Sequence, residues 1–94
     1  MRTIERSSAF KRDYKRVKAT PRHAHDLDRL VLTTVALLAT DQALPESHRD
    51  HALSSGWTGY RECHIKPDLL LIYRKLNTDT LRLARLGSHS ELFG

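Results

Sequence analysis

The sequence predicts an α+β fold in a single small domain that comprises all 94 residues. In such a fold an N-terminal strand and two helices pack on an antiparallel sheet, and a short helix follows the last strand. Two observations lead to this prediction. Helical periodicity is confined to the first 40 residues, and three short apolar runs separated by turn sequences follow Gly56. A chain of this length suffices for one domain of about 100 residues and is too short for two.

The first two elements are a strand and a helix. Residues 3–6 form a short extended segment, which we expect to be the first strand. Phe10, Tyr14 and Val17 recur at helical spacing and predict a helix over residues 7–18, capped by one of the two serines at its start.

The second helix is the most regular element of the sequence. It is expected over residues 20–40, with Thr20 as its cap and Pro21 at its first helical position. Its apolar positions form the wide face of a helix that packs on a sheet: Leu27, Leu30, Val31, Thr34, Val35 and Leu38. Residues 41–55 are polar and lack periodicity, which predicts an exposed loop long enough to have a function.

The C-terminal half changes to the pattern of strands. Three runs rich in Leu, Ile and Tyr predict an antiparallel meander over residues 60–65, 69–75 and 80–86. The turn sequences at residues 66–68 and 77–79 suit hairpin connections. Ser88 can then cap a short terminal helix through Phe93.

Charge and composition narrow the class of protein. The net charge is +5, and residues 1–24 alone hold eight basic and two acidic side chains. This excess suggests a polyanionic partner, either a nucleic acid or an acidic protein segment, although a solvated basic surface would have the same composition. The longest apolar run is far shorter than the roughly 20 residues of a membrane span. With no apolar signal sequence and a single cysteine, we expect a cytoplasmic protein.

Candidate catalytic side chains are concentrated in the C-terminal half. His23 and His25 lie at the polar start of the second helix and are expected at the surface. The remaining candidates can converge in a meander, whose strands lie about 5 Å apart; they are His51, His64, Asp68, Arg85 and His89. Histidine can transfer a proton near neutral pH, and arginine can bind phosphate. This set has the groups needed for phosphodiester cleavage by an internal 2′-hydroxyl.

Two other interpretations of the same residues stay open. Zinc could be bound by His51, Cys63, His64, Asp68 and His89, although neighbours on a strand such as Cys63 and His64 point to opposite faces. Alternatively, His64 could be a partly buried histidine with no role in chemistry. Arg85 shares strand parity with the core residues Leu81 and Leu83, so a functional role requires it to lie at the rim of the sheet.

Two sequence blocks resemble a known family. Residues 57–73 read WTGYRECHIKPDLLLIY, and residues 81–93 read LRLARLGSHSELF. Both are similar to the YafQ branch of the RelE/ParE superfamily of bacterial toxins, which has the patterns W-x-G-Y-R-(D/E)-x-H-(I/V)-x-P-D and R-x-G-(S/T)-H-x-x-L-F. The Asp-His-Ala-Leu sequence at residues 50–53 also resembles the family pattern D-H-x-L.

The resemblance implies a RelE-like fold and a toxin that cleaves mRNA in the ribosomal A site. It implies functional roles for His51, His64, Asp68, Arg85, His89 and Phe93. We prefer His89 as general acid, and Phe93 can stack on a base or simply anchor the last turn. Arg61 and Lys66 are expected to contact RNA. Leu69 stands where the family often has Trp, which could alter substrate choice.

The implied partners are mRNA, the 70S ribosome and a DinJ/RelB-like antitoxin, with no membrane and no cofactor or metal. Two alternatives remain. One is a ParE-like toxin of the same fold that inhibits DNA gyrase by protein contact, against which the histidines count. The other is a non-catalytic module that binds RNA or an antitoxin, which only Leu69 favours.

Overall fold

A computed structural model describes all residues from Met1 to Gly94. Its nine helices and strands are β1 (Thr3–Arg6), α1 (Ser8–Lys18), α2 (Pro21–Ala24), α3 (Leu27–Ala39), β2 (His51–Ala52), β3 (Arg61–Lys66), β4 (Leu69–Leu76), β5 (Thr80–Gly87) and α4 (His89–Phe93). Short 3₁₀ turns flank β2 at Glu46–His48 and Ser55–Trp57. The predicted α+β class is confirmed.

The five strands form one sheet in the order β1-β5-β4-β3-β2. The antiparallel meander of β3, β4 and β5 lies at its centre, as predicted. The sheet is larger than that meander, because β1 pairs in parallel with β5 and the predicted loop supplies β2. The sheet is therefore mixed at one edge and antiparallel elsewhere.

The prediction of one continuous second helix is wrong. The segment divides into α2 and α3 because Asp26 leaves the helical conformation, with φ −120° and ψ −1°. The Asp26 carboxylate lies 2.8 Å from Lys66 Nζ at the end of β3, and the same Nζ donates to the carbonyl oxygen of Arg22. These contacts tie α2 to the β3–β4 end of the sheet. His23, expected at the surface, is only 7% exposed there.

The sheet separates two apolar clusters of unequal size. The first cluster lies between the sheet and helices α1 and α3; it includes Phe10, Val17, Leu27, Val31, Leu71 and Tyr73. The second cluster, on the opposite face, consists of Leu70, Ile72, Ala84 and Leu92, with Leu53, Trp57, Tyr60 and Phe93 packed against it. The unbroken apolar run in β4 follows from this arrangement, because both faces of the strand are covered.

A register shift in β5 changes the face on which Arg85 lies. Tyr73 of β4 is opposite Leu83, whereas Ile72 is opposite Arg85, so Ala84 is an additional residue in the ladder. Residues directly opposite one another point to the same face of a sheet. The prediction that Arg85 shares a strand face with Leu81 and Leu83 is therefore wrong. Arg85 lies opposite Ile72, a residue of the second cluster.

Side chains of α1 cover the part of β5 that β1 does not reach. The β1 pairing ends at Leu83. Beyond it, Ser7 Oγ donates to the carbonyl oxygen of Ala84 at 2.8 Å, and Asp13 Oδ2 accepts from the backbone N–H of Leu86 at 3.0 Å. Arg16 donates to the carbonyl oxygen of Leu86 at 3.1 Å. These contacts satisfy backbone groups that a missing strand would otherwise leave unpaired.

Asp13 is a buried charge in this edge. Its side chain is 4% exposed, and it also accepts hydrogen bonds from Arg85 and Arg16. Burial acts to raise the pKa of the Asp13 carboxyl, but the bonds from Arg85, Leu86 N–H and Arg16 together lower it below 3.8.

The lowered pKa of Asp13 predicts a loss of stability in acid. A group with a depressed folded-state pKa stabilises the fold above its unfolded value and loses that contribution as the pH falls through the folded value. We expect the free energy of unfolding to fall more between about pH 7 and about pH 2 in the wild type than in Asp13→Asn. Urea unfolding monitored by circular dichroism at each pH measures this free energy.

Asp41→Asn is the matched control. Hydrogen bonds from Lys75 and Arg2 lower the pKa of Asp41 as well, but this carboxylate is exposed and solvent screens its charge. Removing it should change the pH dependence less. Identical pH dependence in the wild type and Asp13→Asn would contradict the prediction.

Candidate functional site

Four strands contribute to one row of residues across the sheet. His51 of β2 is opposite Glu62 of β3, Glu62 is opposite Ile72 of β4, and Ile72 is opposite Arg85 of β5. This row lies on the face of the second cluster, which no long helix covers. His64 belongs to the next row, opposite Leu70. The ladder therefore brings three of the five predicted catalytic residues to one face.

Glu62 lies between the two histidines. The Nε2 atoms of His51 and His64 are each 3.7 Å from Glu62 Oε1, and the Glu62 side chain is only 6% exposed. His51 Nδ1 lies 2.8 Å from the carbonyl oxygen of Arg49. Because that oxygen can only accept, Nδ1 has the hydrogen and Nε2 is the atom directed at Glu62. Sequence reasoning missed Glu62, although its spacing of two residues from His64 indicated a shared strand face.

The position of His51 depends on Asp50. Arg61 Nη2 lies 3.1 Å from Asp50 Oδ2, and the hydroxyl of Tyr73 donates to Asp50 Oδ1. Burial, and then the hydrogen bond to Asp50, raise the pKa of Tyr73. The Tyr73 hydroxyl therefore stays a donor at physiological pH. This contact holds the start of β2, where His51 lies.

Helix α4 places His89 and Phe93 beside this face. Ser88 Oγ accepts from the N–H of Glu91, and Glu91 Oε1 accepts from the N–H of Ser88, which is a capping box. Leu92 is buried in the second cluster and fixes the helix to the sheet. His89 is exposed, and its ring centroid lies 4.9 Å from that of Phe93. Phe93 both packs against the cluster and keeps an exposed part.

Gly87 allows the close approach of α4. A Cβ atom at this position would lie 3.0 Å from both Arg16 Nη2 and Glu91 Oε1. A larger residue would require a small shift of these two side chains, which form an ion pair with Arg16 Nε 3.2 Å from Glu91 Oε2.

The other predicted site residues lie elsewhere around the sheet. Asp68, in the β3–β4 turn, forms an ion pair with Arg22 of α2. It lines a cavity of about 260 Å³ together with Ser88, the residue before His89. Lys66 is bound to Asp26, and Arg61 is bound to Asp50. The structure thus brings Asp68 close to α4, but it does not place Lys66 or Arg61 in the row of Glu62.

Cys63 is separated from the histidines. Its side chain is fully buried in the first cluster, whereas His64 lies on the other face. Burial, followed by the nearby charges of Asp50 and Glu62, raises the pKa of the Cys63 thiol to about 12. A zinc site that includes both Cys63 and His64 therefore does not fit this arrangement.

Comparison with known proteins identifies the family. A family model described as a bacterial toxin of type II toxin-antitoxin system, YafQ, matches residues 2–94. The mRNA interferase toxin YafQ of Escherichia coli strain B/BL21-DE3 is 40% identical over 93 residues, which cover 99% of this chain and 97% of that protein.

Solved structures agree with this match. The E. coli DinJ–YafQ complex contains a chain that superposes with a TM-score of 0.81 at 38% identity, with 100% of both chains covered. A metal-bound toxin from Helicobacter pylori gives a TM-score of 0.85 at 48% identity, covering 99% of this chain and 100% of that one. The class is thus a bacterial toxin of a type II toxin–antitoxin system. The chain belongs to the YafQ family of these toxins, which confirms the resemblance in its sequence.

None of the helices has the length and apolar character required to cross a membrane.

The burial of Cys63 predicts low thiol reactivity. The thiolate is the reactive form, so a buried thiol with a raised pKa should resist iodoacetamide at neutral pH and react once the protein is unfolded. Mass spectrometry of alkylated protein measures this difference. A Thr33→Cys variant, which places a thiol on the exposed side of α3, should label quickly in the folded state. Equal labelling rates at the two positions would contradict the buried placement.

Proposed function

We propose that this chain is a ribosome-dependent endoribonuclease that cuts mRNA in the ribosomal A site and so inhibits translation. The observation that carries the proposal is the single sheet face on which His51, His64 and Arg85 lie, with His89 and Phe93 of α4 beside it. The name of the E. coli relative, mRNA interferase toxin, supports the same activity.

The proposed reaction is attack by the 2′-oxygen of the RNA on the adjacent phosphorus. A base removes the 2′-hydroxyl proton, the 2′-oxygen bonds to phosphorus, and the bond to the leaving 5′-oxygen breaks as that oxygen gains a proton. The geometry favours a histidine, His51 or His64, as the base, because Asp68 is paired with Arg22. His89, exposed on α4, is the proposed acid.

We assign charge stabilisation and substrate binding to different residues. We assign to Arg85 the stabilisation of negative charge that develops on the phosphate oxygens. The exposed part of Phe93 can stack on an unpaired base, the usual mode for single-stranded RNA. The basic side chains of α1, among them Lys11, Arg12 and Lys15, give the protein long-range attraction to ribosomal RNA.

The metal in the solved H. pylori structure is a property of that protein. No group of three or more His, Cys, Asp or Glu side chains is arranged to hold a metal ion in this chain. We write the proposed steps with the protein's own side chains.

Replacement of His89 and Arg85 tests the division of roles. We expect His89→Gln to bind ribosomes and to cleave about 10²–10⁴-fold more slowly, the usual effect of losing a positioned acid. Arg85→Ala should lose about 10²–10³-fold through lost charge stabilisation. Cleavage of mRNA in programmed ribosomes, with ribosome pelleting for binding, measures both effects. His25→Gln, an exposed histidine at the end of α2, is the matched control and should cleave normally.

Two results would overturn parts of this mechanism. A folded His89→Gln protein that cuts at the wild-type rate would remove His89 from proton transfer. A 2′-deoxy nucleotide at the cut site should abolish cleavage, and cleavage of that substrate would exclude attack by the 2′-oxygen. Sequencing of RNA ends after induced expression should show cuts at fixed codon positions; DNA damage without such cuts would indicate gyrase inhibition instead.

We further propose that the antitoxin binds a groove between α1 and α3. The groove has a volume of about 780 Å³, and its apolar lining includes Phe10, Tyr14, Val31, Leu32 and Val35. Its basic lining residues are Arg6, Lys11, Arg12 and Lys15. Such a groove is complementary to an amphipathic helix with acidic flanks, of the kind that a partly disordered antitoxin can supply. The DinJ–YafQ complex supports an antitoxin as partner.

A charge placed in this groove should weaken antitoxin binding. Leu32 is 70% exposed, so Leu32→Asp should fold normally and reduce the affinity about 10–100-fold by removing an apolar contact. Thr33→Asp adds the same charge on the exposed side of α3 and should change the affinity little. Calorimetry with the protein encoded beside this gene measures both values. Equal affinities for the two variants would contradict the groove as the binding site.

A further inference from the structure

Asp13 interrupts the apolar stripe of α1. It is buried on the same helix as Phe10 and Val17, which belong to the first cluster. A buried carboxylate costs free energy unless it is fully paired, and an apolar residue of similar size is often as stable or more so. A buried charge that breaks the local pattern is a common property of functional positions. Asp13 lies outside both sequence blocks that resemble the toxin family.

The contacts of Asp13 converge on Arg85. Asp13 Oδ2 accepts from Arg85 Nε at 2.6 Å, and Asp13 Oδ1 accepts from Arg85 Nη2 at 3.2 Å. Two parallel bonds fix the plane of the guanidinium, which a single contact would leave free to rotate. The carboxylate is itself held by the N–H of Leu86 at 3.0 Å and by Arg16 at 2.8 Å.

One edge of the Arg85 guanidinium stays available. Nε and Nη2 are used by Asp13, whereas Nη1 makes no hydrogen bond to the protein. Arg85 lies opposite Ile72, in the row that contains Glu62 and His51. Arg16 also forms an ion pair with Glu91, so its charge is shared between Asp13 and Glu91. The free Nη1 donors of the guanidinium match the requirements of a phosphate oxygen.

We propose that Asp13 is a positioning residue for the ribonuclease reaction: it orients Arg85 so that Nη1 contacts the scissile phosphate. The inference rests on the proposed function. Asp13 does not touch the substrate. It acts through Arg85 by holding the guanidinium group in a fixed orientation. Restricting Arg85 before RNA binds removes side-chain freedom that would otherwise be lost in the transition state.

A double-mutant cycle separates this role from a purely structural one. We expect Asp13→Asn to lower kcat about 10–100-fold with little change in KM, as expected when a catalytic group is displaced by about 1 Å. In an Arg85→Ala background, Asp13→Asn should lower kcat by no more than about twofold further, the scatter of independent substitutions. Full loss in both backgrounds would overturn the proposal.

Glu5→Gln is the matched control for this cycle. Glu5 Oε1 lies 2.5 Å from Arg82 Nε, so this pair also joins a carboxylate to an arginine of β5, three residues from Arg85. Its removal should leave cleavage unchanged within about twofold. All rates are normalised to the folded fraction, which urea unfolding gives. A drop in kcat for Glu5→Gln equal to that of Asp13→Asn would also overturn the proposal.

Arg85→Lys provides a test that leaves Asp13 in place. Lysine keeps the positive charge but lacks the planar fork that Asp13 holds at two points. We expect its kcat to fall at least about tenfold, since charge without fixed geometry is insufficient. Wild-type cleavage by Arg85→Lys would show that orientation by Asp13 is unimportant.

Nuclear magnetic resonance distinguishes failure of this inference from failure of the proposed function. The Nε–H of Arg85 should exchange slowly with water in the wild type and rapidly in Asp13→Asn. If the wild type cut no RNA, the proposed function would be wrong. Slow exchange of the Nε–H would still support the fixed orientation of Arg85. Rapid exchange in an active wild type would overturn the positioning role alone.

Discussion

The rest of the structure depends on one constraint. It is the stretch of β5 beyond Leu83, where β1 no longer pairs with the strand. Its backbone has a strand on one side only, and Ser7, Asp13 and Arg16 bond to it on the other. These bonds hold α1 against β5, and α1 in turn forms one wall of the groove proposed for the antitoxin. The same stretch leads directly into α4. The unpaired backbone of β5 thus connects the helical face of the sheet to the proposed catalytic face.

The two faces of the sheet have different tasks. The helical face has the large apolar cluster and therefore most of the buried apolar area. The opposite face has a small cluster, which leaves room for polar side chains from β2, β3 and β5. The binding sites that we propose for the substrate and the antitoxin therefore lie on different sides of one sheet. Inhibition by an antitoxin in the groove then requires either steric exclusion from the ribosome or a second contact near α4.

Much of the fold could be predicted because local patterns determine it. The apolar run of β4, the turns beside it and the periodicity of α1 are each visible within a few residues. The break at Asp26 and the extra residue at Ala84 could not be found, because each depends on a contact distant in sequence. The motifs supplied the candidate site residues, whereas the buried carboxylates Asp13 and Glu62 were missed, because their burial depends on contacts with residues distant in sequence.

The brevity of β2 gives the two histidines beside Glu62 unequal mechanical support. His64 lies in a six-residue strand within the sheet, and its backbone can be displaced only with that sheet. His51 lies in a strand of two residues between two 3₁₀ turns, held chiefly by the anchoring of Asp50. Segments with so few backbone bonds open at a small fraction of the global unfolding free energy. The proposed catalytic face therefore has one rigid side and one side that opens more easily, and we expect an RNA strand to enter past the latter without disturbing the core.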